Sequence, residues 1–312
     1  MKKILVLVLF FVELLYFNTT LFAQQNTILI KSERNKDNSI DFFYEKSVPG
    51  SYTILVEFTN LINSYNTKFE VVVNSSSGKL FKLNPIDKNK GISFTSSYST
   101  YVNGKINPKA DSLFVYTLPF QKGKIISVYE SNHLYHDLFN AELPKNWKAY
   151  QFKATTADTI FAARKGIVTH IVDHFQTDTI SFYTSKKNYI TVEHADGTFA
   201  TYTGFAHKKV LAKLGQTVYP QSAIGIIKES FKPAPNDFSM MVYYKEKEKS
   251  KKNSKDSNNK LRLTQTFITP YFLTDKGVIH LEHFEKYNVV IHKELLQKEL
   301  SKSEKKKMNH LN

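Results

Sequence analysis

Histidines close to carboxylates are the residues of this sequence that could hold a metal ion, and three segments contain two such histidines each. The segments are His133–Asp137, His170–His174 and His280–Glu285. The first has two histidines three residues apart, whereas a zinc site needs three or four protein ligands. In the second, a strand would place Asp173 on the opposite face from the two histidines. These spacings alone therefore do not predict a metal site.

Nucleophilic side chains give no sign of covalent catalysis. A thiol nucleophile, a thiolate ligand and a disulfide are all excluded, because the chain contains no cysteine. The G-x-S-x-G motif, which presents a nucleophilic serine on a sharp turn, is also missing from the sequence. We therefore predict no cofactor and a fold that rests on its hydrophobic core alone.

The first 23 residues have the pattern of a secretory signal peptide. Two lysines open the chain, an apolar run covers Ile4–Val12, and Ala23 offers a small residue before a cleavage point. The alternative is a membrane anchor, but Glu13 and Asn18 interrupt the apolar run well before the roughly 20 residues that a spanning helix needs. We therefore predict export to the periplasm or cell envelope, with no membrane span after the signal is removed.

The basic composition indicates anionic surroundings. The formal net charge is +15 at pH 7, and a basic exported protein meets cell-wall polymer, lipid headgroups or polysaccharide. Lysines concentrate at 245–260 and 293–307, where they are typical of solvated surface. Nucleic acid is not expected as a partner, because export removes it and no nucleic-acid module is recognisable.

The first half of the chain reads as a succession of short strands. Seven or so β-branched and aromatic runs are separated by turn pairs such as Pro49-Gly50 and Asn103-Gly104, which predicts an immunoglobulin-like β-sandwich over 24–130. Residues 52–58 alternate in the manner of a half-buried strand. The 18 tyrosines and 24 phenylalanines could mark a sugar-binding surface, but we expect them chiefly to fill two β cores.

Strands resume after a linker, and a helix is predicted at the end. The Asp196-Gly197 pair between two apolar runs is a strong hairpin signal. From Leu281 to Lys307 the leucine spacing predicts a helix with lysines on its other sides. The predicted divisions are a signal peptide at 1–23, a sandwich at 24–130, a linker at 131–149, an antiparallel β domain at 150–275 and a helical basic tail at 276–312.

Four segments of the second half, in order along the chain, resemble one known family. They are Thr159–Val168, Tyr189–Tyr202, Lys213–Gly225 and Pro270–Leu273. Their glycines and their H-x-D-G hairpin are similar to those of LytM-type, or lysostaphin-like, zinc endopeptidases, over about residues 144–273, and the pair Thr201-Tyr202 resembles that family's T-x-Y. The resemblance implies an antiparallel β fold with a groove and a role at peptidoglycan.

The same resemblance implies where the family's zinc chemistry would sit. Family members hold one zinc ion through H-x-x-x-D and the second histidine of H-x-H, while a further histidine assists the attacking water. The matching positions are Trp147, Gln151, Gly204 (two residues after Tyr202), Ser239 and Met241, and a register shift of one gives Lys148, Phe152, Phe238 and Met240. These side chains do not replace His and Asp as zinc ligands. His194 retains a histidine of the family's hairpin, at a position that implies packing rather than ligation.

The resemblance therefore implies a pseudo-peptidase whose groove has lost its metal. Trp147, Gln151, Tyr202 and Met241 are expected to line that groove or to fill it as core. Such a protein would bind peptidoglycan or regulate a cell-wall hydrolase. Two alternatives stay open: a structural interaction protein of the envelope, and an active zinc endopeptidase with relocated ligands, for which His280–Glu285 imitates the family's H-L-H-F-E beyond the end of the domain.

Overall fold

The computed structural model describes residues 28–130, 143–153, 158–176, 186–227, 238–248 and 261–309. The predicted signal peptide, the His133–Asp137 segment and most of the lysine-rich segment 245–260 lie outside these residues. The described chain is built almost wholly from antiparallel strands, with two short helices near its end. The mostly β fold class is thus confirmed. Among the described residues, no helix has the length and apolar character that a membrane span requires.

Two three-stranded sheets form a small sandwich in the first half. One sheet contains β1 (Ile28–Arg34), β2 (Ile40–Lys46) and β5 (Ser77–Leu83), and the other contains β3 (Tyr52–Thr59), β4 (Lys68–Val73) and β6 (Ser96–Asn103). Ile54, Val56 and Phe58 of β3 are buried, as the alternation of this segment predicted. They share one core with Phe42 and Leu83 from the facing sheet.

The second half is organised around an eleven-stranded sheet. Its continuous path runs through β14 (Thr217–Val218), β11 (Gly166–Val172), β12 (Asn188–Glu193), β13 (Phe199–Val210), β16 (Phe238–Lys247), β9 (Tyr150–Lys153), β8 (Ile125–Glu130) and β20 (Lys286–Asn288). Attached to it are β10 (Thr159–Phe161), β15 (Ala223–Ile227) and β17 (Leu263–Ile268). A smaller sheet contains β7 (Val115–Thr117), β18 (Tyr271–Thr274) and β19 (Gly277–Ile279).

The segment from 114 to 130 differs from the sequence prediction, which placed it in the first sandwich. Strand β8 pairs with β9, and β7 pairs in parallel with β18. Phe114, Phe120 and Val128 are buried in the core of the second half. The composition of a strand indicates that it is half-buried but not which sheet it joins, because its hydrogen-bond partners are remote in sequence.

The predicted helix over 281–307 is wrong for its first part. Residues 286–288 form β20, which pairs with β8 and extends the large sheet. Only α1 (Lys293–Gln297) and α2 (Lys302–Asn309) are helical. Tyr287 is buried, and its hydroxyl accepts a hydrogen bond from the backbone N–H of Glu282. Tertiary packing has therefore overridden the helical spacing of the leucines.

The first sandwich meets the second half at a buried carboxylate. Glu193 of β12 accepts a 2.7 Å hydrogen bond from the backbone N–H of Ser51 and a second one from its hydroxyl. A Cβ on Gly50, whose φ is +79°, would lie 2.5 Å from a carboxylate oxygen of Glu193. Glycine is therefore required at this contact, both for the left-handed backbone and for the close approach.

A buried arginine connects distant parts of the second half. The side chain of Arg164 is 3% exposed, and it pairs with Asp196 at 2.9 Å and with Glu299 at 2.7 Å. Its guanidinium lies 3.6 Å from the ring centroid of Phe114 and donates to the hydroxyl of Tyr116. Four parts of the chain therefore meet at this one positive charge: the turn after β10, the β12–β13 hairpin, the chain at the start of β7 and the segment near the end of the chain. We call these five residues the Arg164 cluster.

His194 is buried beside this cluster. Its Nδ1 donates to the carbonyl of Lys165 at 2.8 Å, and its Nε2 has no hydrogen-bond partner among the described residues. Burial, reinforced by the positive charge of Arg164, lowers the pKa of His194 well below its ordinary value near 6.5. The ring is therefore neutral at pH 7, and it packs edge-on against Tyr116.

Replacing Arg164 by leucine should destabilise the protein strongly. The change leaves the carboxylates of Asp196 and Glu299, 12% and 19% exposed, without their shared cation, and removing one partner of a buried ion pair costs about 3–5 kcal/mol. Urea unfolding should show this loss. The control is Lys31→Gln, which breaks a pair with Glu45 whose members are 60% and 54% exposed and should cost less than about 1 kcal/mol. Equal costs for the two variants would show that the cluster does not hold the fold together.

Candidate functional site

The register of three strands brings polar, uncharged residues together on one face of the large sheet. Gln151 of β9 lies opposite Ser239 of β16, which lies opposite Thr203 of β13. Two residues along, Met241 lies opposite Thr201. Directly opposed residues of antiparallel strands project from the same face, with Cβ atoms about 5 Å apart. All five are half-buried. We call them the central face.

Neighbouring strands extend this face. Tyr189 of β12 lies opposite Thr203, and the hydroxyl of Thr191 lies 3.1 Å from that of Thr201. On β11, His170 lies opposite Thr191, and its ring stacks on Tyr189 with 5.4 Å between the ring centroids. The sequence did not single out these threonines or Tyr189, because their place depends on strand pairings that span the domain.

Trp147 lies close to the same region. Its indole is half-buried and meets the ring of Phe267 edge to face, with the centroids 4.8 Å apart. Trp147 and Met241 pack against one aromatic cluster, formed by Phe199, Tyr243 and Phe267. Met241 also shares the central face with Gln151. The positions that the resemblance assigns to the zinc ligands are thus neighbours, although none of them carries a ligand side chain.

Tyr202 takes the second of the two places expected for it: it is part of the core and does not line the groove. Its side chain is fully buried, and its hydroxyl accepts a 2.9 Å hydrogen bond from the backbone N–H of Ala163. Burial raises the pKa of Tyr202 above its ordinary value near 10. Tyr202 lies opposite Ile190 and Met240, which are also buried, so its strand position faces the core. A strand alternates faces at every residue, and only the neighbours Thr201 and Thr203 reach the central face.

The alternative register of the ligand positions also falls in the core. Phe152, Phe238 and Met240 are at most 1% exposed, so they cannot meet a ligand from solvent. Lys148 pairs with Glu130 and lies over the ring of Tyr150. The register that uses Gln151, Ser239 and Met241 is the one whose side chains share an open face.

Gly204 has a backbone conformation unsuited to a histidine, and three further histidines make contacts away from the central face. Gly204 has φ +112°, a conformation that a histidine would adopt only with strain. His280 contacts the carbonyl of Pro270, whereas His283 accepts a hydrogen bond from the backbone N–H of Glu130. His194 is buried beside the Arg164 cluster, as described above, and does not lie on the central face.

The residues at these positions do not fit a zinc ion. In the part of the chain that the structure describes, no three His, Asp or Glu side chains are grouped so that they could hold a metal. The central face instead offers a carboxamide, three hydroxyls and a thioether. These groups can donate and accept neutral hydrogen bonds, but they supply neither a Lewis acid nor a general base.

Comparisons with known proteins give only weak likenesses. No family model matches the sequence, and no curated protein matches it. Among solved structures, a candidate peptidase M23 from Pseudomonas aeruginosa is 14% identical, covering 62% of this chain and 88% of its own, with a TM-score of 0.28. A zinc-containing peptidase from Vibrio cholerae is 13% identical, covering 69% and 78%, with a TM-score of 0.25. Likenesses at this level establish neither a family nor an activity for this chain.

Proposed function

We propose that the second half of this chain is a non-catalytic LytM-type module of the cell envelope that binds peptidoglycan at the central face. The observation that carries the proposal is the alignment of Gln151, Ser239 and Thr203 across three adjacent strands. These positions lie together on one half-buried face and carry hydrogen-bonding groups without charge. The predicted signal peptide and the net charge of +15 support a place in the envelope.

The chemistry of the central face suits a polymer of sugars and peptides. Peptide groups and sugar hydroxyls are both donors and acceptors, and a carboxamide beside hydroxyls can pair with either. Hydrolysis would need a metal ion or a general base to activate water. The central face itself has neither, so binding without cleavage is its proposed role.

A second role follows if the partner is a protein. The central face could also bind a cell-wall hydrolase and regulate it. An active zinc endopeptidase with relocated ligands needs three ligands around one point, and the described residues supply no such group. A purely structural role in the envelope would leave the central face unused.

Incubation with purified cell-wall sacculi tests the proposal. The mature protein should co-sediment with sacculi and release no soluble fragments, with or without added zinc. The variant Gln151→Ala/Ser239→Ala should bind about thirtyfold more weakly, because two lost hydrogen bonds of about 1 kcal/mol each cost about 2 kcal/mol. Lys88→Gln, an exposed change in the first sandwich, should bind like the wild type.

Three outcomes would count against this role. Release of fragments would show a peptidase or glycosidase. Pelleting that is unchanged in the double variant would place binding away from the central face. Failure to pellet would leave only the hydrolase-binding role, which pull-down with a purified peptidoglycan hydrolase would then test.

Restoring ligands should create a zinc site if the positions are assigned correctly. The variant Trp147→His/Gln151→Asp/Met241→His supplies three ligands and leaves one position open. Zinc at 1,000 times its dissociation constant should then stabilise the folded protein by about 4 kcal/mol, seen as a higher Tm. Gly204 is left unchanged because of its positive φ.

The matched control keeps Met241 and changes only Trp147 and Gln151. This double variant, like the wild type, should show no zinc-dependent Tm. A folded triple variant that gains no zinc-dependent stability would contradict the assignment of positions. Stabilisation of the wild type by zinc would reveal a metal site and contradict the proposed loss of ligands.

A further inference from the structure

A cleft of about 1110 Å³ is lined in part by Tyr244 of β16 and by Thr266, Phe267 and Ile268 of β17. The walls come from three segments: 108–113 without Asp111, 143–148 without Lys145 and 266–271 without Pro270, together with Tyr244 and His280. Its volume is slightly above the range typical of small-molecule sites, about 300–1,000 Å³. No motif predicted it, because its walls are remote from one another in sequence.

Aromatic rings in fixed positions line the cleft. Trp147 is held edge to face by Phe267, and Tyr271 is stacked on His280 with 3.9 Å between the ring centroids. Both are half-buried. Rigid aromatic side chains give a large contact area at low entropic cost. Their flat apolar faces match the C–H faces of sugar rings.

The charge of the cleft is positive. Lys109 and Lys148 line it, whereas none of its described lining residues is an aspartate or glutamate. Glu246, which contacts Tyr244 and Thr266 at the wall, is already paired with Lys145 at 2.8 Å. Lys148 is paired with Glu130, but Lys109 is exposed and makes no ion pair with a described residue. The cleft is therefore suited to an anion beside an apolar ring.

We propose that this cleft binds a saccharide that carries carboxylates. The rings of Trp147 and Tyr271 stack against the C–H faces of its sugar rings, and the ammonium group of Lys109 pairs with a carboxylate. The site uses neither Gln151 nor Ser239, although Trp147 lies close to the central face, and it goes beyond the function proposed above.

The position of Trp147 makes the test direct, because it is the only tryptophan of the chain. Its fluorescence is followed while the full-length mature protein is titrated with galacturonic acid trisaccharide, or with the matching neutral galactose trisaccharide. The acidic trisaccharide should give a saturable change that weakens with added salt, and the neutral one should bind about tenfold more weakly or not at all.

Variants separate this site from the central face. Lys109→Gln should weaken binding of the acidic trisaccharide about tenfold, because a hydrogen bond from a charged group is lost. Lys88→Gln and Gln151→Ala/Ser239→Ala should bind it like the wild type, whatever their effect on sacculi. Equal affinity for the two trisaccharides, an unchanged affinity in Lys109→Gln, or no change in Trp147 fluorescence with either sugar would each overturn the proposal.

Discussion

The buried guanidinium of Arg164 is the constraint on which the second half depends. It is satisfied only when Asp196 of the hairpin turn and Glu299 near the end of the chain both reach it. Lys165, the next residue, donates to Glu304, which accepts from the N–H of Ser301 in a reciprocal cap at the start of α2. Since an unpaired buried charge is costly, the turn and the C-terminal segment hold each other in place around one cation.

These ion pairs fix the position of the β12–β13 hairpin. The hairpin in turn fixes the strand register on which the central face depends. A slip of one residue in any of these strands would exchange the inward and outward side chains. It would expose Tyr202 and Met240 and bury Thr203 and Ser239 instead. The observed register therefore explains two facts together: the aromatic residue of the family-like T-x-Y pattern is core, and the ligand-like positions share an open, uncharged face.

The sequence predicted the features that depend on residues close to one another along the chain. The Asp196-Gly197 turn forms as expected, with Gly197 at φ +85° and the N–H of His194 bonded to the carbonyl of Thr198. The sheet membership of β8 and the strand at 286–288 were predicted wrongly, and the choice between groove and core was left open for Tyr202. Each of these depends on a partner far away in sequence, which periodicity cannot supply. The sequence did not predict the aromatic cleft for the same reason, because its walls come from segments that are remote from one another along the chain.

The central claim is that the family-like groove has become a binding face without catalytic groups. The most direct measurement is a backbone amide NMR titration of the mature protein with a soluble disaccharide–tetrapeptide fragment of peptidoglycan. The account predicts that the largest shift changes occur in β9, β13 and β16, around Gln151, Thr203 and Ser239, while the fragment stays intact throughout. Shift changes confined to the first sandwich, or cleavage of the fragment during the titration, would contradict it.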